Sequence, residues 1–379
     1  MKVLLITNDP TILRTGSSGH VHAKENALAI GELHVLLEGS QDAYYDEGSL
    51  RIHVVKRARF FPYASIRKAA TTISKQCGIQ ALWAQDPFEL GEVVSGVAQD
   101  TGLPFYVNVY TDFLSPWYST LTGMLRSSKV SVPSGNHARI KLAGNVLPKA
   151  AGIRVMSERS KVSLISKFGA AIPEPQVIPV QVHLAAPPPA PFPFTFPFTL
   201  VAVGRLDAGR RVIDIIDALA ILSDRYPGAG LFIVGDGPER AHLEHCVRRK
   251  KLTERVVFLG DRPDAWGLIQ SANVFIQASA HEGYGRRILQ AALARVPVIT
   301  TDVGIVGEAF VGYEDVLAMP PGDPATLATH IIGLMEDGQA RELLSMSAEA
   351  SAKRFLLKSG NIPLRLAAFL RGETLPPAV

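Results

Sequence analysis

The sequence predicts an α/β fold made of two doubly wound domains joined by a proline-rich linker. Short apolar runs of strand length alternate with helical patterns along most of the 379 residues, which is typical of a mostly parallel sheet. Six prolines fall within residues 183–198, where they exclude a helix or a central strand. A second strand–helix series begins at Leu200, and the chain is long enough for two separate cores.

The composition is that of a globular chain, because 47% of the residues are hydrophobic and 20% are charged. The two cysteines, Cys77 and Cys246, match no metal or redox spacing, and we interpret them as buried thiols in a reducing compartment. The apolar run after Met1 is too short for a signal peptide, and no run approaches the roughly 20 apolar residues of a membrane span. We therefore expect a cytoplasmic protein.

The net charge of +4 is unevenly distributed. Residues 51–167 carry 16 Lys and Arg against 6 Asp and Glu, and residues 51–75 carry seven cations and no acid. Two interpretations stay open: a solvated basic face, or a surface that docks on anionic lipid at about 1 kcal/mol per well-placed cation. The aromatic residues Phe60, Phe61 and Tyr63 favour the second interpretation, because aromatic side chains are enriched at membrane surfaces. We do not expect nucleic acid as a partner, because no recognised binding motif accompanies the charge.

The first domain, residues 1–182, begins with a predicted strand over Lys2–Thr7, a loop containing Gly16 and Gly19, and a helix from about residue 21 to 30. The loop is not G-x-G-x-x-G, so a dinucleotide cofactor is poorly supported. Further strands are predicted at residues 33–37, 51–55, 81–84 and 104–109, with helices near 66–76, 91–99 and 159–167.

Two predicted strand ends in this domain carry polar groups where α/β sheets bind ligands. One is Gln85-Asp86-Pro87 and the other is Tyr110-Thr111-Asp112. Asp112 has two open interpretations: it orients the hydroxyl of an acceptor, or it caps a turn, a common position for Asp.

The second domain is predicted over residues 199–355. Its strands are predicted at residues 200–203, 231–234, 256–259, 274–278 and 296–300, with helices over 212–226, from 239, and near 325–336 and 341–355. A tail, residues 356–379, follows. We expect its apolar stretch, Ile362–Leu370, to pack back on the first domain.

One stretch, residues 279–292, carries the strongest site signal. Glu282, Gly283 and Gly285 lie between an apolar strand and a helix, and a helix N-terminus with its unpaired N–H groups suits a phosphate. The glycines allow the backbone to approach a ligand closely. An ordinary βα turn, with glycines for tight packing, is the alternative interpretation.

Five motifs in the second domain occur in the order found in a known family. They are Gly204-Arg205-Leu206, Val234-Gly235-Asp236-Gly237-Pro238, Phe258-Leu259-Gly260, Glu282-Gly283-Tyr284-Gly285 and Pro297-Val298-Ile299. Together they resemble the large retaining glycosyltransferase family with the GT-B fold, which includes glycogen-synthase-like and mannosyltransferase-like enzymes. The resemblance extends from about Leu200 to Leu334, and the amino-terminal half matches only in outline. It implies two Rossmann-like domains that face each other across a cleft.

The resemblance also implies a reaction: transfer of a sugar from a nucleotide-diphosphate-sugar to an acceptor hydroxyl, with retention and without metal or other cofactor. The acceptor would be a sugar or a lipid-linked molecule, in polysaccharide, glycolipid or glycoconjugate synthesis. The implied catalytic residues are Arg205 and Arg210, which would stabilise the leaving diphosphate, and Glu282 near the donor sugar, with Asp112 on the acceptor side. The implied donor-binding residues are Gly16, Gly19, Gly204, Gly237, Gly260, Asp261, Gly283, Tyr284, Gly285 and Gln290.

The chain departs from the family pattern at several positions. A lysine-glycine pair is replaced by Arg210-Arg211, and arginine still pairs with phosphate. Gln290 stands where a second glutamate usually binds ribose hydroxyls, and the lost charge-assisted bond costs about 1 kcal/mol. Two alternatives therefore stay open: a sugar-nucleotide epimerase or phosphorylase on the same fold, and a catalytically silent sugar-nucleotide-binding protein.

Overall fold

The computed structural model describes residues 1–58, 63–115, 133–182, 192–262 and 264–377. The chain divides into two compact units. Unit 1 contains Met1–Leu114, Ser134–Gln181 and Ser359–Val379, and unit 2 contains Val182–Lys358. Each unit is built around its own β-sheet.

Unit 1 has an eight-stranded sheet with the order β3-β4-β2-β1-β5-β6-β7-β8, parallel except for the β3–β4 pair. Its strands are β1 (Lys2–Ile6), β2 (Glu32–Gly39), β3 (Ala43–Glu47), β4 (Leu50–Lys56), β5 (Ala81–Ala84), β6 (Phe105–Val109), β7 (Gly152–Val155) and β8 (Gln176–Val177). The apolar run of β1 is nearly all buried. A central strand of a parallel sheet needs this, because both of its faces are covered.

Several helices accompany these strands in the part of unit 1 that the structure describes before residue 182. They are α1 (Ser18–Ile30), α2 (Ala64–Gln76), α3 (Glu89–Thr101), α4 (Pro133–Val146) and α5 (Glu158–Phe168). The first begins three residues before the predicted Val21, because the Ser17 side chain caps it by accepting a hydrogen bond from the His20 N–H. Gly19 therefore lies in the first turn of α1, not in the preceding loop.

The predicted strands of unit 1 are confirmed, but β3, β7 and β8 have no counterpart among the predictions. The edge strand β3 reads Ala-Tyr-Tyr-Asp-Glu and is largely exposed, so it shows no apolar run. In β7 the apolar pattern is interrupted by Arg154, which is buried. This guanidinium donates to the carbonyl oxygens of Ile178, at 2.8 Å, and Pro179, at 2.6 Å. Those bonds stabilise a buried charge, and a strand containing a buried charge is not predicted from a pattern of apolar residues.

Unit 2 has a six-stranded, fully parallel sheet with the order β11-β10-β9-β12-β13-β14. Its strands are β9 (Phe198–Val203), β10 (Ala229–Val234), β11 (Val256–Gly260), β12 (Val274–Gln277), β13 (Val298–Thr301) and β14 (Leu317–Met319). Its helices are α6 (Val212–Leu222), α7 (Arg240–Arg249), α8 (Ala265–Gln270), α9 (Arg286–Leu293), α10 (Pro324–Glu336) and α11 (Gly338–Ser359). The short elements β14 and α8 are additions to the predicted series.

The predicted linker, residues 183–198, needs a correction at its carboxyl end. Phe198 is the first residue of β9 and pairs with Ala229. Before it, Phe194 and Phe196 pack on Phe232, with ring centroids 4.4 and 5.5 Å apart from that ring. The aromatic residues between the prolines therefore belong to unit 2, while residues 183–191 lie outside the described residues.

The last helix, α12 (Ile362–Arg371), lies in unit 1. Phe369 meets Tyr106 edge-on at 5.1 Å, and Arg365 Nη2 donates to the Val177 carbonyl oxygen at 3.1 Å. A side chain at Gly152 would lie 2.9 Å from the Phe369 ring, so β7 and α12 are closely packed. Among the helices that the structure describes, none is both long and apolar enough to cross a membrane.

Candidate functional site

The strand order of unit 2 reverses between β9 and β12, which are neighbours in the sheet but are separated by two strands in sequence. In open α/β sheets, ligands bind at such a reversal, outside the carboxyl ends of the strands. The loops that follow β9, β10 and β12 contain residues 204–211, 235–239 and 278–285. They carry most of the predicted site residues.

Backbone hydrogen bonds join these loops directly. The Leu206 N–H donates to the Asp236 carbonyl oxygen at 2.9 Å, and the Ala280 N–H donates to the Gly209 carbonyl oxygen at 2.8 Å. A Cβ at Gly237 would lie 2.3 Å from the Leu206 carbonyl oxygen, which is closer than real Cβ contacts. Glycine at this position is therefore required by the contact between two backbones.

A cavity of about 510 Å³ lies against the loops that follow β9, β10 and β11, and no residue of the loop 278–285 lines it. Among the residues lining it are the predicted site residues Gly204, Arg205, Gly237 and Asp261. Gly260, also predicted, ends β11 with a φ of +66° directly before Asp261. The structure therefore brings together five predicted residues from the ends of three neighbouring strands. The volume falls within the range of small-molecule sites, about 300 to 1,000 Å³.

Arg205 is exposed, and within the described part of the chain its guanidinium makes no hydrogen bond or ion pair. Other cations at the same edge are compensated by acids. Arg262 binds Asp264 through two bonds of 2.8 and 2.7 Å, and Arg240 Nη1 lies 2.9 Å from Asp236 Oδ2. The Gly237 N–H and Arg240 together hold the pKa of Asp236 below its usual range. Arg205 thus presents a charge available to a ligand.

The two arginines that replace the lysine-glycine pair have different partners. Arg210 forms an ion pair with Glu282, whose side chain is 10% exposed and also accepts a hydrogen bond from Ser279 Oγ at 3.2 Å. Arg211 instead binds Asp214 at the start of α6, with bonds of 2.6 and 2.9 Å. Asp214 is 4% exposed. Arg210 therefore pairs with Glu282, outside the lining of the cavity of about 510 Å³, and Arg211 stabilises the fold through Asp214.

The start of α9 positions the remaining predicted residues. Gly285 adopts a φ of +90° as the residue before the helix, a conformation that favours glycine. Tyr284 is buried, and its carbonyl oxygen accepts a hydrogen bond from the Ile305 N–H at 2.9 Å. Gln290 is 8% exposed, and its Oε1 accepts a hydrogen bond from Arg287 Nη1 at 2.8 Å. Gly283 lies in the bend between Glu282 and Tyr284.

Arg287 is a site residue that the sequence analysis did not identify. It lines the cavity with Arg205. Burial, together with the positive charges of Arg286 and Arg210, lowers the pKa of Arg287 to about 10. The sequence contained one signal for it: two arginines at the first positions of a helix are disfavoured by the helix dipole. Helix stability therefore does not explain why an arginine stands at position 287.

The predicted site residues of unit 1 have structural partners of their own. Asp112 Oδ1 accepts from the Leu114 N–H at 3.2 Å and from Ser163 Oγ at 2.8 Å, so it caps a turn after β6. A Cβ at Gly19 would lie 2.1 Å from Thr11 Oγ1, so close packing against Thr11 favours glycine at this position. Gly16 has a φ of +81° beside open space. Roles for these residues with a donor or an acceptor stay predictions.

The basic stretch of residues 51–75 is partly neutralised. Arg51 pairs with Glu32, Arg57 Nε lies 3.4 Å from Glu38, and Arg67 Nη2 lies 2.9 Å from Asp100. Lys56, Lys68 and Lys75 are exposed. Tyr63 begins the described chain again before α2, while Arg59, Phe60, Phe61 and Pro62 lie outside the described residues.

Comparison with known proteins gives a family match over part of the chain and a fold over nearly all of it. Residues 192–351 match the family of glycosyl transferases group 1. Over 151 residues, 39% of this chain, the sequence is 30% identical to glycogen synthase of Mycobacterium tuberculosis, and this part covers 36% of that enzyme. This chain spans 58% and 53% of the lengths of two further curated relatives.

Two solved structures align over nearly the whole chain. Sucrose-phosphate synthase from Thermosynechococcus elongatus has a TM-score of 0.76, with 18% identity and 98% of both chains covered. Anabaena HepE, solved in complex with UDP-glucose, has a TM-score of 0.74, with 18% identity over 98% of this chain and 99% of HepE. At this identity the likeness concerns the fold, and it agrees with the two Rossmann-like units described above. Residues 192–351 therefore resemble the group 1 glycosyltransferases, and the chain has the GT-B fold.

Proposed function

We propose that the protein transfers a sugar, with retention, from a nucleoside-diphosphate-sugar to an acceptor hydroxyl in the synthesis of a polysaccharide, glycolipid or glycoconjugate. The observation that carries this proposal is the cavity of about 510 Å³ at the strand ends of unit 2, where Arg205 has no acid partner among the described residues. A diphosphate is the chemical group that this wall of glycine backbone and guanidinium suits. The UDP-glucose complex of HepE, a protein of the same fold, supports a nucleotide-sugar donor.

The reaction follows from the charge that develops in it. The bond between the anomeric carbon and the phosphate oxygen breaks, and its electron pair leaves with the nucleoside diphosphate. A new bond forms between the anomeric carbon and the acceptor oxygen, whose O–H bond breaks and whose proton passes to the departing phosphate oxygen. Arg205 stabilises the departing diphosphate, whose negative charge grows in the transition state, and catalysis requires stabilisation that is stronger there than in the ground state. No metal is part of this proposal.

Glu282 and Arg210 form the second part of the proposed site. The carboxylate is held by the Arg210 guanidinium and by Ser279 Oγ, so its orientation is fixed before a ligand arrives. We assign Glu282 to the hydroxyls of the donor sugar, which donate hydrogen bonds to a carboxylate. Arg210 then neutralises Glu282 beside an anionic ligand and keeps the carboxylate from repelling the diphosphate.

One observation favours a second candidate, a catalytically silent sugar-nucleotide-binding protein. Gln290 occupies the position of the second glutamate, and its oxygen is already bound by Arg287 in the absence of ligand. A silent protein would bind the nucleotide-sugar and leave it intact. An epimerase or phosphorylase would instead consume the donor in the absence of a sugar acceptor.

The test is an acceptor-dependent turnover assay. UDP-, GDP- and ADP-sugars are incubated with and without oligosaccharide and glycolipid acceptors, in the presence of EDTA, and released nucleoside diphosphate is measured. The proposal predicts acceptor-dependent release that survives EDTA, with the anomeric configuration of the donor retained in the product. Binding without release from any donor would support the silent protein, and acceptor-independent consumption would support the epimerase or phosphorylase.

We also propose that unit 1 approaches an anionic membrane surface, where a lipid-linked acceptor would lie. The exposed Lys56, Lys68 and Lys75 support this proposal, while the ion pairs of Arg51 and Arg67 reduce the available charge. Binding to vesicles that contain phosphatidylglycerol should fall steeply as salt is raised, because surface electrostatics are screened. Equal binding to neutral vesicles would contradict this part of the proposal.

A further inference from the structure

We infer that Arg287 is the second cation for the donor's diphosphate, beside Arg205, and that Gln290 keeps its charge available. This inference rests on the proposed function, because it assigns a contact within the proposed donor site. It also revises the expectation that Arg205 and Arg210 share the diphosphate.

The first argument is the balance of charge around the cavity. Five charged residues line it: Arg205, Asp236, Asp261, Arg262 and Arg287. Asp236 is bound by Arg240 and Arg262 is bound by Asp264, so these two contribute little net charge. Asp261 is exposed and forms no ion pair with the described residues, so Arg205 and Arg287 together with Asp261 leave the lining with a net charge of +1. Arg287 forms no ion pair with any carboxylate of the described residues, and its one hydrogen bond goes to a neutral amide. Arg205 and Arg287 are thus the two cations of the lining that lack an acid partner in that part of the chain.

The second argument concerns Arg210. Its charge is compensated by the carboxylate of Glu282. A cation in a close ion pair attracts a further anion less than an uncompensated cation does, since the field of the pair falls off faster than that of a single charge. We therefore assign the contact with the diphosphate to Arg287, which has no carboxylate partner among the described residues, and not to Arg210.

The third argument is the burial of Arg287. Its guanidinium is largely removed from water, and the neighbouring charges of Arg286 and Arg210 add repulsion, which lowers its pKa to about 10. It stays protonated near neutral pH but is poorly solvated. An anion in the cavity would relieve both effects, because hydrogen bonds and an opposite charge favour the charged form.

Gln290 explains why this charge stays available. Gln290 Oε1 lies 2.8 Å from Arg287 Nη1, and both side chains project from α9 three residues apart. A glutamate at position 290 would form an ion pair with Arg287 over the same distance. The neutral amide orients the guanidinium without cancelling its charge, so the departure at position 290 and the arginine at 287 act together.

The experiment measures the affinities of UDP and of uridine, by isothermal titration calorimetry without metal, and compares their ratio among variants. If UDP does not bind, GDP with guanosine and ADP with adenosine replace the pair. Arg287→Gln should weaken UDP binding about 10- to 100-fold and leave uridine binding within twofold. Gln290→Glu should also lower the ratio of UDP to uridine affinity, because it creates an acid partner for Arg287. The matched control is Arg248→Gln, an exposed arginine on α7.

The outcomes separate this inference from the proposed function. A wild-type protein that binds none of the nucleoside diphosphates would overturn the proposed function itself. Wild-type binding of UDP with an unchanged ratio in Arg287→Gln would overturn only the assignment of Arg287. If Arg287→Gln does not fold, Arg287→Met decides, since methionine keeps a long unbranched side chain, removes the charge and must lower the ratio. An increased ratio in Gln290→Glu would overturn the role assigned to Gln290.

Discussion

The two units share one architecture but end their central strands differently. In unit 1, the side chains at the ends of β1 and β5 satisfy one another: Gln85 Oε1 accepts from Thr7 Oγ1 at 2.6 Å and from the Asn8 N–H at 2.7 Å. In unit 2, the ends of β9 and β10 are joined through the backbones of glycine-containing loops. That arrangement leaves Arg205 and Arg287 facing a cavity without acid partners in the described chain.

The difference lies in the groups that meet at these strand ends: paired polar groups between β1 and β5 in unit 1, and uncompensated cations beside a cavity in unit 2. A polar edge whose groups are paired needs no ligand to satisfy it. An edge with uncompensated cations is stabilised when an anion binds. Glycines make the second arrangement possible, because they let loops meet through their backbones and free the side chains for the ligand.

The largest expected effect tests these glycine contacts. Gly237→Ala should lower the free energy of unfolding of unit 2 by about 3 kcal/mol, because its Cβ would lie 2.3 Å from a backbone oxygen that has no room to move. Gly16→Ala, the control in unit 1, places its Cβ in open space and should cost about 1 kcal/mol, for its positive φ alone. Urea denaturation measures both. Equal losses of unfolding free energy in the two variants would contradict the difference between the loops of the two units.

The next effect concerns catalysis and leaves stability nearly unchanged. Arg205→Ala should lower turnover of the nucleotide-sugar about 100-fold, since it removes a charge that stabilises the leaving diphosphate. The side chain is exposed, so we expect less than about 0.5 kcal/mol change in stability. Arg248→Ala is the control. Wild-type turnover in a folded Arg205→Ala variant would refute the role on the phosphate.

A pH effect is expected in unit 1. His53 stacks on the fully buried His34, whose Nδ1 lies 2.9 Å from His53 Nε2. Burial, with the charges of His34 and Arg51, lowers the pKa of His53 to about 4. The unfolded chain takes up this proton at about pH 6.5. Stability contributed by neutral His53 is therefore present above pH 6.5 and is lost as pH falls towards 4, by up to about 3 kcal/mol.

The measurement for this effect is the free energy of unfolding of unit 1 between pH 7 and 4. The residues facing His53 include His34, which is itself hydrogen-bonded to Glu32. Tyr44, whose ring centroid lies 5.0 Å from that of His53, and Arg51 face it as well. His53→Gln should flatten the slope over this range, and His245→Gln, an exposed histidine of unit 2, should leave it unchanged. The same slope in all three proteins would contradict the assignment.

The smallest effect concerns Asp112. Asp112→Ala should cost about 1 kcal/mol, since Oδ1 accepts from the Leu114 N–H and from Ser163 Oγ. Asp112→Asn should cost less, because the amide oxygen still accepts both bonds. Thermal denaturation measures the stability of both variants. Full stability of Asp112→Ala would contradict the turn cap, and a lower acceptor-dependent turnover would indicate contact with the acceptor.

Sequence patterning predicted the central strands because their apolar runs are buried on both faces, as in β1 and β10. It missed the exposed edge strand β3 and the strand around Arg154, whose charge is satisfied only by tertiary contacts. The same limit applies at the site. Arg205 and Gly237 were identified from their motifs, and the structure places both at the cavity.

The partners of neighbouring arginines could not be predicted from sequence. Nothing in the order Arg210-Arg211 reveals that the first pairs with Glu282 and the second with Asp214. Arg287 shows the same limit, since its place at the cavity depends on strands that are distant in sequence. Spacing identified the residue types of the site, and tertiary packing decided which charges are compensated.

The most direct test of the central claim is a thermal-shift screen of the wild-type protein with UDP, GDP, ADP and the matching nucleosides, without metal. A ligand that binds only the folded state raises its stability by about 2.7 kcal/mol at a hundredfold excess over its Kd. We predict a rise in melting temperature with one nucleoside diphosphate, a smaller rise with its nucleoside, and loss of this difference at high salt. No shift with any diphosphate would contradict the claim that the strand ends of unit 2 bind this anion.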